Sequence, residues 1–135
     1  RGFLSGKYQR GQDIPGDSRF ASDMGNGQSV FAQRTKQHFS DMAYGVLDTV
    51  EAMAQEKGCT ASQVALAWCM NQPGITSPII GPRTMEHLVD NLGAADVTIT
   101  DDDRARLDTV AAPEQAIVPY YTGKMIDFKP PQYRW

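Results

Sequence analysis

The residues Ser77-Pro78-Ile79-Ile80-Gly81-Pro82-Arg83-Thr84-Met85-Glu86-His87-Leu88-Val89-Asp90-Asn91 gather the groups that an anionic ligand requires. A short apolar run stops at Gly81, Arg83 follows two residues later, and helical periodicity opens at once. Gly81 has no Cβ, so a ligand can approach the backbone closely there. A helix start presents unpaired N–H groups and the positive end of the helix dipole. Arg83 adds a forked cation that matches phosphate oxygens. Phosphate binding is the chemistry this junction predicts.

The elements that must position it are mostly helical. Met42, Val46, Leu47, Val50, Met53 and Ala54 recur at three- and four-residue steps, and Lys57-Gly58 supplies a stop. A second helix opens at Thr60, with Gln63 at capping-box spacing. Val64, Ala65, Ala67 and Trp68 follow, with Trp68 read as core, and Pro73-Gly74 ends the pattern. A strand is expected at Thr76–Ile80, then a helix at about Met85–Ala94 with Leu88, Val89 and Leu92 on one face. A weaker strand candidate covers Asp96–Ile99. A last helix opens at Thr100, with Asp101, Asp102 and Asp103 in the first turn, where the dipole favours them. Leu107 and Val110 are expected to face inward.

The first third reads differently. Glycine recurs from Gly2 to Gly27 among Asp13, Pro15, Asp17 and Asp23, a composition of turns and functional loops. Residues 113–135 are rich in proline and tyrosine and read as an extended strap, in preference to a pocket wall built on Tyr120 and Tyr121. One convincing strand has nothing in the chain to pair with, and fewer than three strands rarely hold together unsupported. The expectation is therefore the C-terminal piece of a larger α/β protein.

Composition limits the partners. The chain has 135 residues, 41% hydrophobic and 21% charged, which is ordinary for a globular domain. A formal net charge of -3 gives no basic field for nucleic acid or an anionic membrane surface. No apolar run approaches the roughly 20 residues of a membrane span. Cys59 and Cys69 lack C-x-x-C spacing and read as reduced thiols of a cytoplasmic protein. His38 has no Cys, Asp or Glu at ligand spacing, so no metal site is assigned.

Four ordered blocks carry a resemblance. They are Gly2-Phe3-Leu4-Ser5-Gly6-Lys7-Tyr8, Asp17-Ser18-Arg19, Gly58-Cys59-Thr60-Ala61-Ser62-Gln63-Val64-Ala65-Leu66-Ala67-Trp68, and Ile79-Ile80-Gly81-Pro82-Arg83 through Asn91. In this order and spacing the chain resembles the aldo-keto reductase superfamily from Arg1 to about Val110. The nearest branch holds the potassium-channel β-subunits and bacterial aldo-keto reductases of the general-stress type. The resemblance implies an α/β (β/α)8 TIM barrel, with a nicotinamide dinucleotide across the C-terminal ends of its strands. This chain would be the C-terminal part of that single domain. Residues 1–40 would be the cofactor-covering loop after strand seven, residues 41–112 the helices and strand eight, and residues 113–135 the tail.

Site roles follow from the same resemblance. Gly2, Leu4 and Gly6 would open the loop over the pyrophosphate, and Lys7 and Arg19 would reach its phosphates. Gly81, Arg83, His87, Asp90 and Asn91 would hold the adenosine end, with Arg83 on the 2′-phosphate of NADPH/NADP. His87 and Asp90 depart from the Gln and Glu common in the family, and Asp is one methylene shorter. The implied activity is NADPH-dependent reduction of aldehydes or ketones. Its proton-donating tyrosine and the assisting lysine, aspartate and histidine would lie upstream, so no catalytic residue is assigned here. The alternatives are an NADPH-binding regulatory subunit like the potassium-channel β-subunits, a catalytically inactive fragment, or a small helical interaction module. A homo-oligomer is compatible with each, and neither nucleic acid nor membrane is expected as a partner.

Overall fold

The computed structural model describes residues 2–24 and 38–112; Arg1, residues 25–37 and the 113–135 strap with Tyr120 and Tyr121 lie outside it. A 3-10 turn at Phe3–Ser5 is followed by helices α1 (Arg19–Met24), α2 (Asp41–Lys57), α3 (Ala61–Met70) and α4 (Met85–Leu92). A second 3-10 turn, Gly93–Asp96, leads to α5 (Asp101–Val110).

Local chemistry explains the starts. The Ser40 hydroxyl accepts from the Ala43 N–H at 3.2 Å to cap α2. Reciprocal capping boxes begin α3 at Thr60/Gln63 and α5 at Thr100/Asp103. The Thr84 hydroxyl caps α4 through the His87 N–H at 3.1 Å. Gly58, in the left-handed region at φ 64, ends α2 where a side chain would be strained. Helix α1 was not expected from the glycine-rich composition. The Ser18 hydroxyl, accepting from Ala21 N–H at 3.1 Å, is the cap that starts it.

Packing divides into two clusters. Val50, Met53, Ala54, Val64, Ala67, Ile99 and Leu107 form the aliphatic core where α2 meets α3 and α5. Phe3, Tyr8, Phe20, Phe39 and Tyr44 form an aromatic cluster at the start of α2, with ring centroids 4.9–6.4 Å apart. The clusters share α2, and α3 receives the first turn on one part of its surface and α4 on another.

Several expectations are corrected. The described residues contain no β-strand: neither Thr76–Ile80 nor Asp96–Ile99 forms one, and Asp96 belongs to the Gly93–Asp96 turn. A strand exists only through its ladder, and among the described residues neither run has a backbone hydrogen-bonded partner segment. Helix α4 ends at Leu92 and tightens into the Gly93–Asp96 turn. Trp68 is 37% exposed and so is not core here. On α4, Val89 and Leu92 face solvent, and the helix buries no residue fully.

Candidate functional site

Arg83 lies immediately before the Thr84 cap, so its guanidinium stands at the start of α4. It is exposed, and no acidic side chain among the described residues pairs with it. The Thr84 hydroxyl takes the His87 N–H and the Thr84 carbonyl takes the Leu88 N–H. The Met85 and Glu86 N–H groups have no intrahelical partner, as helix geometry requires. They give the helix start its capacity for an anion. Glu86, in the same turn, works against a second negative charge. An added Cβ at Gly81 would meet nothing within 4 Å, so the backbone there is open to an incoming group.

The second set of predicted residues surrounds the first turn. Gly2 and Gly6 bracket Phe3–Ser5 in the left-handed region, at φ 75 and φ 79. At Gly6 a Cβ would come within 2.8 Å of Glu51 Oε1, so this glycine's close approach is to α2. Leu4 is half-buried. Lys7 is exposed, folds back toward Gly2, and sets its Nζ 5.0 Å from the Tyr8 ring centroid, a cation–π arrangement. No carboxylate among the described residues neutralises it. Arg10, three residues on, is by contrast committed to Asp41 at 2.7 Å and Asp48 at 3.5 Å. Arg19 begins α1, and its side chain lies outside the described residues.

Both sets rest on α3, so this helix is the element common to them. His87 is exposed and Asn91 half-buried, and neither side chain makes a hydrogen bond among the described residues. Asp90 is different. Its Oδ1 accepts from the Thr60 hydroxyl at 3.0 Å, and its backbone carbonyl accepts from Gln63 Nε2 at 2.8 Å. One carboxylate oxygen expected to reach toward a ligand is thus engaged with the start of α3. The capping box at Thr60 and Gln63 is visible in the sequence; its second use, across to α4, is not.

Elsewhere, a shallow depression of about 400 Å³ lies between α2 and α5, lined by Asp48, Thr49, Ala52, Arg106 and Thr109. It contains none of the predicted ligand-binding residues, and Arg106 is already held by Glu56 through two hydrogen bonds of 2.6 and 2.9 Å. Burial pushes the Cys59 thiol up, which keeps it a poor nucleophile. Among the described residues no group of His, Cys, Asp and Glu could hold a metal ion. No described helix is long and apolar enough to cross a membrane.

Residues 1–112 match the Aldo/keto reductase family. The chain belongs to that family. It is 32% identical over 96 residues to a probable voltage-gated potassium channel subunit beta from Oryza sativa subsp. japonica. The match takes in 71% of this chain and 27% of that relative, so it spans little more than a quarter of the relative's length.

Proposed function

We propose that this chain is the C-terminal part of an aldo/keto reductase (β/α)8 barrel and supplies its NADPH clamp. The protein to which it contributes would reduce aldehydes or ketones to alcohols. The observation that carries the reading is the pair of exposed cations, Lys7 and Arg83, which have no acidic partner among the described residues of a family member of net charge -3. An isolated surface cation is common, but these two flank a helix that packs against both halves of the predicted site. The extent of the match is compatible with the same reading. A match that takes in only 27% of the relative, together with an uncovered face on α4, suits a part that completes a larger barrel.

The residues fit the cofactor. The open backbone at Gly81, the free N–H groups opening α4 and the Arg83 guanidinium together suit a 2′-phosphate on adenosine. Lys7, beside the flexible dihedrals of Gly2 and Gly6, suits the pyrophosphate. Asn91 offers a donor and an acceptor to the adenine edge. When bound, the nicotinamide supplies the hydride. This chain's residues hold and orient the nucleotide, and the proton donor would come from the earlier strands.

Equilibrium titration with NADPH and NADH tests the clamp. A charge-assisted hydrogen bond contributes about 1.5–3 kcal/mol, so Arg83→Ala should cut the preference for NADPH by roughly 10- to 100-fold while leaving NADH binding nearly unchanged. Equal discrimination by parent and variant would defeat the reading. The resemblance to the rice channel subunit favours a second reading, in which the same clamp serves a regulatory subunit. Tight NADPH binding with turnover too slow for metabolism, together with co-purification with a channel, would select it.

A further inference from the structure

We propose that Gln63 is a positioning residue for the adenosine end of the site, acting through Asp90 and not by touching the nucleotide; this rests on the NADPH-clamp reading above. The Gln63 carboxamide works in two directions. Its Oε1 accepts from the Thr60 N–H at 3.1 Å, completing the cap of α3, and its Nε2 donates to the Asp90 carbonyl at 2.8 Å in the last turn of α4. The Thr60 hydroxyl adds a third link by accepting from the Gln63 N–H at 3.2 Å and donating to Asp90 Oδ1 at 3.0 Å. One capping box thus fixes the start of α3 and the height and rotation of α4 at once.

Gly93 shows how closely the two helices are drawn together. A Cβ at this position would fall within contact of Gln63 Nε2, well inside any tolerated separation, and 3.2 Å from Gln63 Cδ. The Gly93 backbone is ordinary right-handed helix at φ -59, so the residue is not there for its dihedral freedom. An alanine would suit the backbone better on propensity alone. The glycine leaves space for the carboxamide, which cannot swing away without giving up both of its hydrogen bonds.

The consequence falls on the ligand side of α4. Asp90 and Asn91 are adjacent, and Arg83 and His87 stand at the helix's other end. With Asp90 Oδ1 held by Thr60, the short carboxylate is oriented by the protein and its second oxygen has no partner among the described residues. Removing the tether lets α4 rotate on an apolar face that buries no residue fully, because little else anchors it. Specificity for the adenosine half would then degrade although no residue contacting it had changed.

Gln63→Glu separates the tether from the cap. The replacing carboxylate can still accept from the Thr60 N–H, as Glu does in ordinary capping boxes, but it cannot donate to the Asp90 carbonyl. In the full chain, we expect adenosine 2′,5′-bisphosphate to bind about tenfold more weakly to Gln63→Glu, the loss of one hydrogen bond's positioning. Amide exchange should quicken in α4 at 88–92 and stay unchanged in α3 at 64–67. Gly93→Ala should reproduce the effect, and combined with Gln63→Ala it should add no further loss, since the colliding carboxamide is gone. Parent-like affinity in Gln63→Glu overturns the proposal, as does exchange that quickens equally in both helices, which would mean a general loss of structure. If the parent itself does not bind the bisphosphate, the clamp reading has failed and this inference falls with it.

Discussion

The Tyr8 hydroxyl is buried without a hydrogen-bond partner among the described residues. Its ring stacks beside Phe3 and meets Phe20 and Phe39 edge-on, an apolar setting that suits the ring and not the oxygen. An unsatisfied buried hydroxyl costs about 1–3 kcal/mol. Tyr8→Phe should therefore raise the urea midpoint of the chain, by about 1 kcal/mol in stability, with no change in the denaturant slope. A lower midpoint would mean that the hydroxyl has a partner. At this scale the sequence shows residue types and misses commitments. That Lys7 and Arg83 carry charge suited to phosphates was legible; that neither has an acidic partner among the described residues was not. That Asp90 is tied to Thr60, 30 residues away, was not, because periodicity places a residue on a face without saying which neighbour that face meets. The same gap hid the approach of Gly6 to Glu51.

Helix starts were the most legible elements: Thr60 to Gln63 forms the box its spacing implies, while Asp103, read from the sequence only as a first-turn acid, also closes a box with Thr100. The cap on α5 also carries the most buried ion pair among the described residues. Asp103 is 5% exposed, and its Oδ2 takes the Lys57 ammonium at 2.8 Å along with the Thr100 N–H and hydroxyl at 2.8 and 2.9 Å. Burial alone would push this carboxyl up; the Lys57 and Thr100 hydrogen bonds outweigh it and hold its pKa at about 2, against 3.8 ordinarily. A depressed carboxylate contributes stability that is fully present above its unfolded pKa and is lost as pH falls through the folded one. The contribution here should be complete above about pH 5 and fade toward pH 2. Asp103→Asn should cost about 2 kcal/mol at pH 7 and almost nothing near pH 2, read from urea denaturation of parent and variant at both. A penalty independent of pH would locate the effect in the cap's shape. The strands were illegible for a different reason. A β-branched run such as Thr76–Ile80 states a propensity, and a ladder is a property of two segments.

Across the whole molecule, apolar surface is distributed unevenly. The α2–α3–α5 core is closed, while Ile79, Met85, Val89 and Leu92 are exposed by 101%, 71%, 65% and 60%. The grouping of Leu88, Val89 and Leu92 on one face could be read from their spacing, but not whether anything covers it. Scattered exposed apolar residues need no explanation; several on one short helix and the run before it do. The proposal that the chain completes a larger barrel supplies the cover, and it makes opposite predictions for two settings. In this chain alone the face should bind 8-anilinonaphthalene-1-sulfonate and promote self-association, and Val89→Lys with Leu92→Lys should reduce both while leaving the helical signal intact. In a protein long enough to form the whole barrel, each of those substitutions should instead destabilise by about 1.5–3 kcal/mol, the cost of forcing a charge into a site that buries an aliphatic side chain. Should both settings tolerate the lysines equally, the face is solvent-facing by design and α4 sits outside any barrel wall. The residues of α4 would then have only the Gln63 and Thr60 tether to α3 to fix them.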